Sequence, residues 1–456
     1  MGKAIEWIIK GIVGMVVVLA LAWAAARVAG PGQAQREALA LLGAPWQPEG
    51  GNAFGALWLL AHDVPPHEVA TLVAVDAHRM RQAAGPGEDG TGGLDGFATE
   101  AAARFADQSP SSDDRALFCE PRGSDCLPRV RAELDAYQAL VQRNASLLAR
   151  IDRLAGDGYV ANQLPSRIDA PFPDFGLLRL GVTRNAVLFA QGDVDAALQA
   201  SCRDIDTWRR LGGNTDMLVV QMTSLAIAGD ANAQLLAQML HELPAHHPVP
   251  EICAVAVRPV HVEERSVCRA MRGELAFASG MVDMTRNALA EAANPVERLL
   301  SSLVYNAHKT RGEMALVYGQ SCSAGERARI ASDLPIRDAA LPRHGWARPG
   351  CIDNLVGCLL AAIGSPAYDG YRHRAQDLGA RMQVLGTLLW LREQGTGPRT
   401  LVERLATRPE ALRSPARDIE VGADGRSLRI RQYDTSQGDY WEVPLPDDVV
   451  APSVAD

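Results

Sequence analysis

The chain lacks the short motifs that usually announce catalysis. It has no Gly-x-x-x-x-Gly-Lys-Ser/Thr phosphate loop, no Gly-x-Gly-x-x-Gly turn after a strand, no Gly-x-Ser-x-Gly elbow and no His-Glu-x-x-His. These gaps exclude the commonest nucleotide, serine-hydrolase and metalloprotease sites. Cys-x-x-Cys is also missing, so neither a zinc ribbon nor a thioredoxin-type redox centre is indicated. A basic surplus is missing too. With 45 basic and 54 acidic residues the net charge is −9, which argues against a nucleic-acid partner. Aromatics make up only 5%, while alanine and leucine are plentiful, and that balance favours helices over sheets.

What is present is most decisive at the N-terminus. Gly11 to Ala26 carry no charge, and Ile5, Trp7, Ile8 and Ile9 extend the run past Lys10, which can snorkel to headgroups. About 20 apolar residues in a helix span a bilayer. Lys3, Lys10 and the small residues at Ala20-Leu21-Ala22 or Ala22-Trp23-Ala24 would also suit a cleaved signal peptide. The length of the run, with Trp7 and Trp23 at interfacial positions, favours a retained signal-anchor over residues 1–28. Membrane lipid is thus the expected partner of residues 5–28. Lys3 and Lys10 nearly balance Arg27 and Arg36, and the free amino terminus tips the orientation toward N-in.

The bulk of the chain then lies on the extracytoplasmic (periplasmic) side. All eight cysteines fall there, between Cys119 and Cys358, where an oxidising compartment permits disulfides. The turn-rich Glu-Pro-Arg-Gly-Ser-Asp spacer predicts a local Cys119–Cys126 bridge. Cys351 and Cys358 fall in a helical pattern, where seven residues separate them by about 10 Å, too far for a bridge. They are expected to pair elsewhere, with Cys202, Cys253, Cys268 and Cys322 as the available partners.

The helical reading continues along the chain. Residues 29–96 are expected to form a membrane-proximal helical stalk ending in a Gly/Asp-rich linker (Gly85 to Gly96), and residues 97–399 a helical domain. Within it, Leu127 to Ala155 is predicted as one long helix from the three- and four-residue steps of Val130, Leu134, Tyr137, Leu148 and Ile151. Gly-Asp recurs at Gly156-Asp157, Gly192-Asp193 and Gly229-Asp230. Glycine suits a helix C-terminus and aspartate caps the next helix, so these sites suggest turns between stacked antiparallel helices at a near-tetratricopeptide period. Further helices are expected over His261 to Met284, from Pro295 (carrying Leu299, Leu300, Leu303, Val304 and Met314), over Cys351 to Ile363 and from Pro366 to Glu393, with a loop at Pro335 to Pro349. From Ile419 the period switches to two. Ile419/Val421, Leu428/Ile430 and Trp441/Val443/Leu445 predict a small three-stranded antiparallel meander within residues 400–446. Pro444 marks its last strand as an edge. Residues 447–456 are expected to be a disordered tail.

The predicted fold is therefore mainly α, a bundle or solenoid-like stack behind a transmembrane helix, closed by a β-meander. Candidate chemistry is thin. His241, His246 and His247 flank Pro244, but their spacing matches no recognised metal site. Glu263, Glu264, Arg265, Arg269, Arg272 and Glu274 read as a solvated helix face, with Arg265, Arg269 and Arg272 stacked on one side. Trp208, Arg209 and Arg210 read either as an interface anchor or as an inter-helix packing point. No catalytic residue, metal or cofactor is expected. The function expected is an envelope scaffold binding another envelope protein. The alternative is a hydrolase of envelope polymers using two facing carboxylates with perturbed pKa values.

Overall fold

The computed structural model describes residues 2–83, 93–123, 125–291, 294–336, 349–364, 368–395 and 399–450. Most of the expected linker (84–92), most of the expected 335–349 loop and residues 451–456 lie outside these. α1 (Gly2–Val28) is one continuous helix, and residues such as Ile8, Val13 and Leu19 are more than half exposed along it. It is the one described helix long and apolar enough to cross a membrane.

α2 (Gln33–Leu42) follows directly and packs on α18 (Ala307–Gly319). α3 (Phe54–Trp58) and α4 (Pro66–Gln82) come next. Pro66 occupies the first turn of α4, where a missing N–H costs nothing, and Arg79 and Arg81 sit at its C-terminal end, favoured by the dipole. Phe54, Leu57, Leu72 and Met80 are wholly buried. Part of the segment expected to form a stalk therefore contributes core side chains.

Two single-turn helices, α5 (Glu100–Arg104) and α6 (Ser112–Ala116), are capped by Thr99 and Ser111. The single long helix expected from Leu127 is three: α7 (Cys126–Ala132), α8 (Leu134–Arg143) and α9 (Ala145–Arg153). Non-helical dihedrals at Glu133 and Asn144 break it while preserving its apolar face. A short parallel pair, β1 (Gly51–Asn52) with β2 (Asp157–Tyr159), ties this region to the chain after α2. It needs Gly158, where a Cβ would stand 2.0 Å from the Glu49 carbonyl oxygen.

α10 (Arg179–Ala190) and α11 (Val194–Gly213) form a true hairpin. Gly192, at φ +97°, makes its turn. The other two Gly-Asp pairs make no turn between antiparallel helices. Gly156-Asp157 leads into β2, and Gly229-Asp230 lies in a π-helical segment (Leu225–Asn232) that joins α12 (Leu218–Ser224) to α13 (Ala233–Glu242) as one rod. The suggested repeat therefore has a single helix-joining turn. α11 is the hub of the core. It buries Leu198, Ile205, Trp208 and Leu211 against α10, the π segment, α14 (Glu251–Ala256) and α12.

His261 to Met284 is not one helix. α15 (Val262–Arg265) ends at an extended Ser266, and α16 (Met271–Glu291) begins after a turn carrying Cys268. α17 (Pro295–Val304), capped by Asn294, is likewise separate from α18, capped by Asn306. α19 (Ala324–Ala331) and α20 (Leu355–Gly364) precede α21 (Asp369–Gln394), the longest described helix after α1, and then α22 (Leu401–Ala406).

The C-terminal sheet is antiparallel, ordered β3 (Ile419–Val421), β4 (Ser427–Arg431), β5 (Tyr440–Pro444). Leu428 faces Val443, and Ile430 faces Ile419 on one side and Trp441 on the other. Leu428, Ile430 and Val443 are fully buried against α21 and α13. Each such burial stabilises by about 1.5–3 kcal/mol. β5 is an edge strand, as Pro444 requires. The expected tail is packed as far as residue 450: Val449 is fully buried and its carbonyl accepts from Arg404 at 2.7 Å.

All eight cysteines pair, as Cys119–Cys126, Cys202–Cys253, Cys268–Cys322 and Cys351–Cys358. The first is the expected local bridge. The last corrects the expectation that Cys351 and Cys358 must pair elsewhere. Cys351 ends a 3-10 turn, and α20 starts only at Leu355, so their Cα atoms stand 6.0 Å apart.

Candidate functional site

A cavity of about 370 Å³ lies between α16, the start of α12 and the loop of residues 162–173. Pro165, Pro171 and Pro173 keep that loop irregular, since none can donate a backbone hydrogen bond. Arg167 pins it to the end of α4, donating to the Met80 and Ala83 carbonyls at 3.2 and 2.7 Å while paired with Asp169 at 2.6 Å. α16 accommodates it with two glycines, seven residues apart on one face. At Gly280 a Cβ would sit 2.2 Å from the Ser166 oxygen, and at Gly273 1.9 Å from the Asp216 oxygen. These close approaches bring loop and helices together around the hollow. Its apolar wall includes Phe54, Leu164, Phe172, Met217, Leu218 and Phe277.

Two carboxyls line this apolar space, Asp216 and Glu274. Asp216 accepts from the Asn162 N–H at 3.0 Å. Burial pushes its pKa up, and that N–H only partly opposes the effect. Glu274 accepts from the Tyr368 hydroxyl at 3.0 Å. Burial raises it as well, against the pull of that hydroxyl. Tyr368 packs edge-on against Tyr318, ring centres 5.4 Å apart. Burial and the adjacent Glu274 push the Tyr368 hydroxyl upward, so it stays protonated and remains a donor. Together the hollow offers a greasy surface, two acids biased toward their neutral form, and few other polar groups. Sites of this size and lining suit small organic ligands.

A second cluster sits where the π segment faces α21. Arg122 and Arg381 both reach Asp230, Arg381 also donates to the Gly229 carbonyl at 2.9 Å, and Arg374 pairs with Asp434 at 2.7 Å. Burial and the like charge of Arg122 hold Arg381 down at about 10. The cleft between them is only about 60 Å³. Each of these arginines is already matched to an acid, so the cluster fastens α21 and the sheet loop to the π segment.

The residues singled out from sequence fall elsewhere. Trp208 and Arg209 are buried, 3% and 2% exposed, which rules out a surface anchor at these two positions. Arg209 bonds the Ala256 and Arg258 carbonyls and pairs with Glu264 at 3.1 Å. Arg210 donates to the Ala155 carbonyl at 2.9 Å. These side chains pack α11 against its neighbours. The arginine stripe dissolves because α15 ends: Arg265 turns to Asp333 at 3.6 Å, while Arg269 meets the Gly213 carbonyl and the Trp46 ring. His241 bonds the Leu445 carbonyl at 2.8 Å and His247 faces Asp195 at 3.3 Å. Among the described residues the one grouping with metal-ligand geometry is Glu313 with Cys351 and Cys358. Those sulfurs are joined in a disulfide and hold no metal.

No sequence pattern singles out Asp216, and Glu274 falls in a stretch whose charge density predicts a solvated face. Their signal was faint: a glycine before Glu274, and Gly-Gly-Asn-Thr before Asp216, both signs of tight backbone approach. The chain matches no family model, no curated protein and no solved structure.

Proposed function

We propose that this is a membrane-anchored, extracytoplasmic binding protein whose cavity takes a small ligand. That ligand has an apolar body and an amine, hydroxyl or carbonyl group. The observation that carries this reading is the pairing of a hollow of about 370 Å³ with two half-buried carboxyls in a mainly apolar wall. A protonated carboxyl donates to a carbonyl, and an ionised one accepts from an ammonium. The anchor is supported by the apolar α1, and the oxidising side by four disulfides. Retention of α1 is supported by its contacts, since buried Lys309 donates to the Ala26 carbonyl at 2.5 Å. An N-in orientation follows if the disulfide-bearing body lies outside.

The hydrolase alternative draws on the same two acids. Acid–base catalysis needs environments that push a pair's pKa values apart. Burial raises both here, and no observation assigns one as the acid and the other as the base. A scaffold role for the outer surface is compatible with the cavity but is not what the cavity is built for.

The test uses the full-length chain in detergent, with native mass spectrometry for co-purified molecules and thermal shift against a panel of apolar amines, alcohols and amides. Ligand at 100 times its Kd should add about 2.7 kcal/mol. Ala276→Trp, at an exposed position lining the hollow, should abolish the shift, and Glu274→Gln should weaken binding about tenfold. The proposal fails if wild type and Ala276→Trp respond alike to every compound and neither carries a bound molecule.

A further inference from the structure

α1 ends beside two helices with unusual surfaces. α17 carries Val296, Leu299 and Leu300 at positions i, i+3 and i+4, and they are 61%, 62% and 57% exposed. α20 likewise carries exposed leucines, Leu355, Leu359 and Leu360, at positions i, i+4 and i+5. An Asn294 cap and Pro295 fix the start of α17, and the Cys351–Cys358 bridge fixes that of α20. Both stripes belong to defined helices.

Hydrogen bonds fasten both to the end of α1. The Trp23 indole donates to the Leu303 carbonyl at 2.8 Å. Arg27 donates to the Tyr305 and Asp353 carbonyls at 2.9 and 3.4 Å. Lys309, the sole lysine after Lys10, joins Ala26 to the Asp353 carboxylate at 2.6 Å. Ile5 to Trp23 covers about 27 Å of helix, close to the hydrocarbon thickness, so a bilayer places Trp23 among the headgroups. Leu303 is held there with it, one turn from Leu299 and Leu300. Next to this apolar band a cleft of about 340 Å³ is lined by the guanidinium-bearing Arg27, Arg286 and Arg298, cations at the level of lipid phosphates.

Accepting α1 as a spanning helix, we propose that α17 and α20 lie on the same bilayer. Their leucine faces sit in the headgroup–acyl boundary, and the arginine-lined cleft receives the phosphate of an anionic lipid. The anchor thus ends in a collar that seats the body on the membrane instead of letting it swing.

Photocrosslinking of the full chain in phosphatidylethanolamine/phosphatidylglycerol vesicles tests this. p-Benzoylphenylalanine would replace Val16, Leu299, Leu359 or Val402 in turn. All four are at least 43% exposed, so the fold tolerates the probe. The expected result is phospholipid adducts at Leu299 and Leu359 within about threefold of the yield at Val16, and none at Val402, which lies on α22 beside β3. Lipid adducts at Val16 alone would overturn the collar and leave the anchor standing. Chain-to-chain adducts at Leu299 would assign the stripe to a second copy and also overturn it. Loss of lipid adducts at Val16 would remove the anchor itself.

Discussion

Replacing Arg417 with leucine should cost this protein more than any surface change. Arg417 is 2% exposed, and its acids Asp333 and Asp377 are each 4% exposed. It donates to Asp333 at 2.7 and 2.9 Å, to Asp377 at 2.6 Å, and to the carbonyls of Gln376 and Arg431 at 3.1 and 3.2 Å. Its guanidinium also stands 4.0 Å from the centre of the Tyr433 ring. This one side chain joins the end of α19, the middle of α21 and the sheet. Leucine would leave two carboxylates buried with weaker partners. Removing one partner of a buried pair costs about 3–5 kcal/mol. The 456 residues, unfolding together, gain about 1 kcal/mol/K of entropy, so Tm should fall by about 3–5 °C. The loss should depend on pH. Burial already raises Asp377, and Arg417 opposes it; without Arg417 the pKa climbs further. A carboxyl with a raised folded pKa is fully tolerated below its unfolded value, about 3.9. It costs stability as pH rises through the folded value. The deficit of Arg417→Leu should therefore be larger at pH 8 than at pH 5. Scanning calorimetry of the full chain in detergent measures both. A loss below about 1 kcal/mol, or a larger loss at pH 5, would refute the reasoning.

Three further outcomes are expected. Converting Cys202 and Cys253 to alanine frees a 51-residue separation and should cost about 4 kcal/mol, against about 2.4 kcal/mol for Cys119 and Cys126, seven apart; denaturant titrations that rank the two pairs equally would contradict this. Gly273→Ala should destabilise by about 1–3 kcal/mol, because its Cβ would meet the Asp216 oxygen at 1.9 Å, whereas Gly370→Ala, with open space around it, should be neutral or stabilising in the same melts. Glu274→Gln should flatten the pH profile of stability. Wild-type Glu274, raised by burial, loses stability as pH climbs from its unfolded value near 4.3, and an unchanged slope in the variant would show that Glu274 is not the group responsible.

What sequence could reveal was local. The apolar run of α1 and the period-two alternation of Leu428, Ile430 and Val443 are patterns written in neighbouring residues, and both elements formed. The Cys119–Cys126 bridge was equally legible, because a short polar spacer restricts its ends. Helix breaks were not. Glu133 and Asn144 carry no proline or glycine, yet each leaves the helical region, because α7, α8 and α9 bend around the core. The spacing of Leu299 and Leu300 places them on a helix but does not say which way they face, and the structure leaves both exposed. Gly229-Asp230 mimicked a turn that neighbouring helices suppress. The cavity was illegible for the same reason. Asp216 and Glu274 lie 58 positions apart and line one cavity because Gly273 lets α16 approach the start of α12.

The order of the four disulfides has a consequence for biogenesis. Each cysteine is bonded to the next one in the chain, so every loop closes before another opens. Eight cysteines permit 105 arrangements, and this is the one that strict first-come pairing delivers. A polypeptide whose body threads into an oxidising space from the anchor onward would reach its final linkages by simple succession, with no bond broken and remade. Pulse-labelled chains trapped with a thiol-blocking reagent should accordingly show one, two, three and then four bridges. Persistent mixed pairings would mean that an isomerase is needed after all.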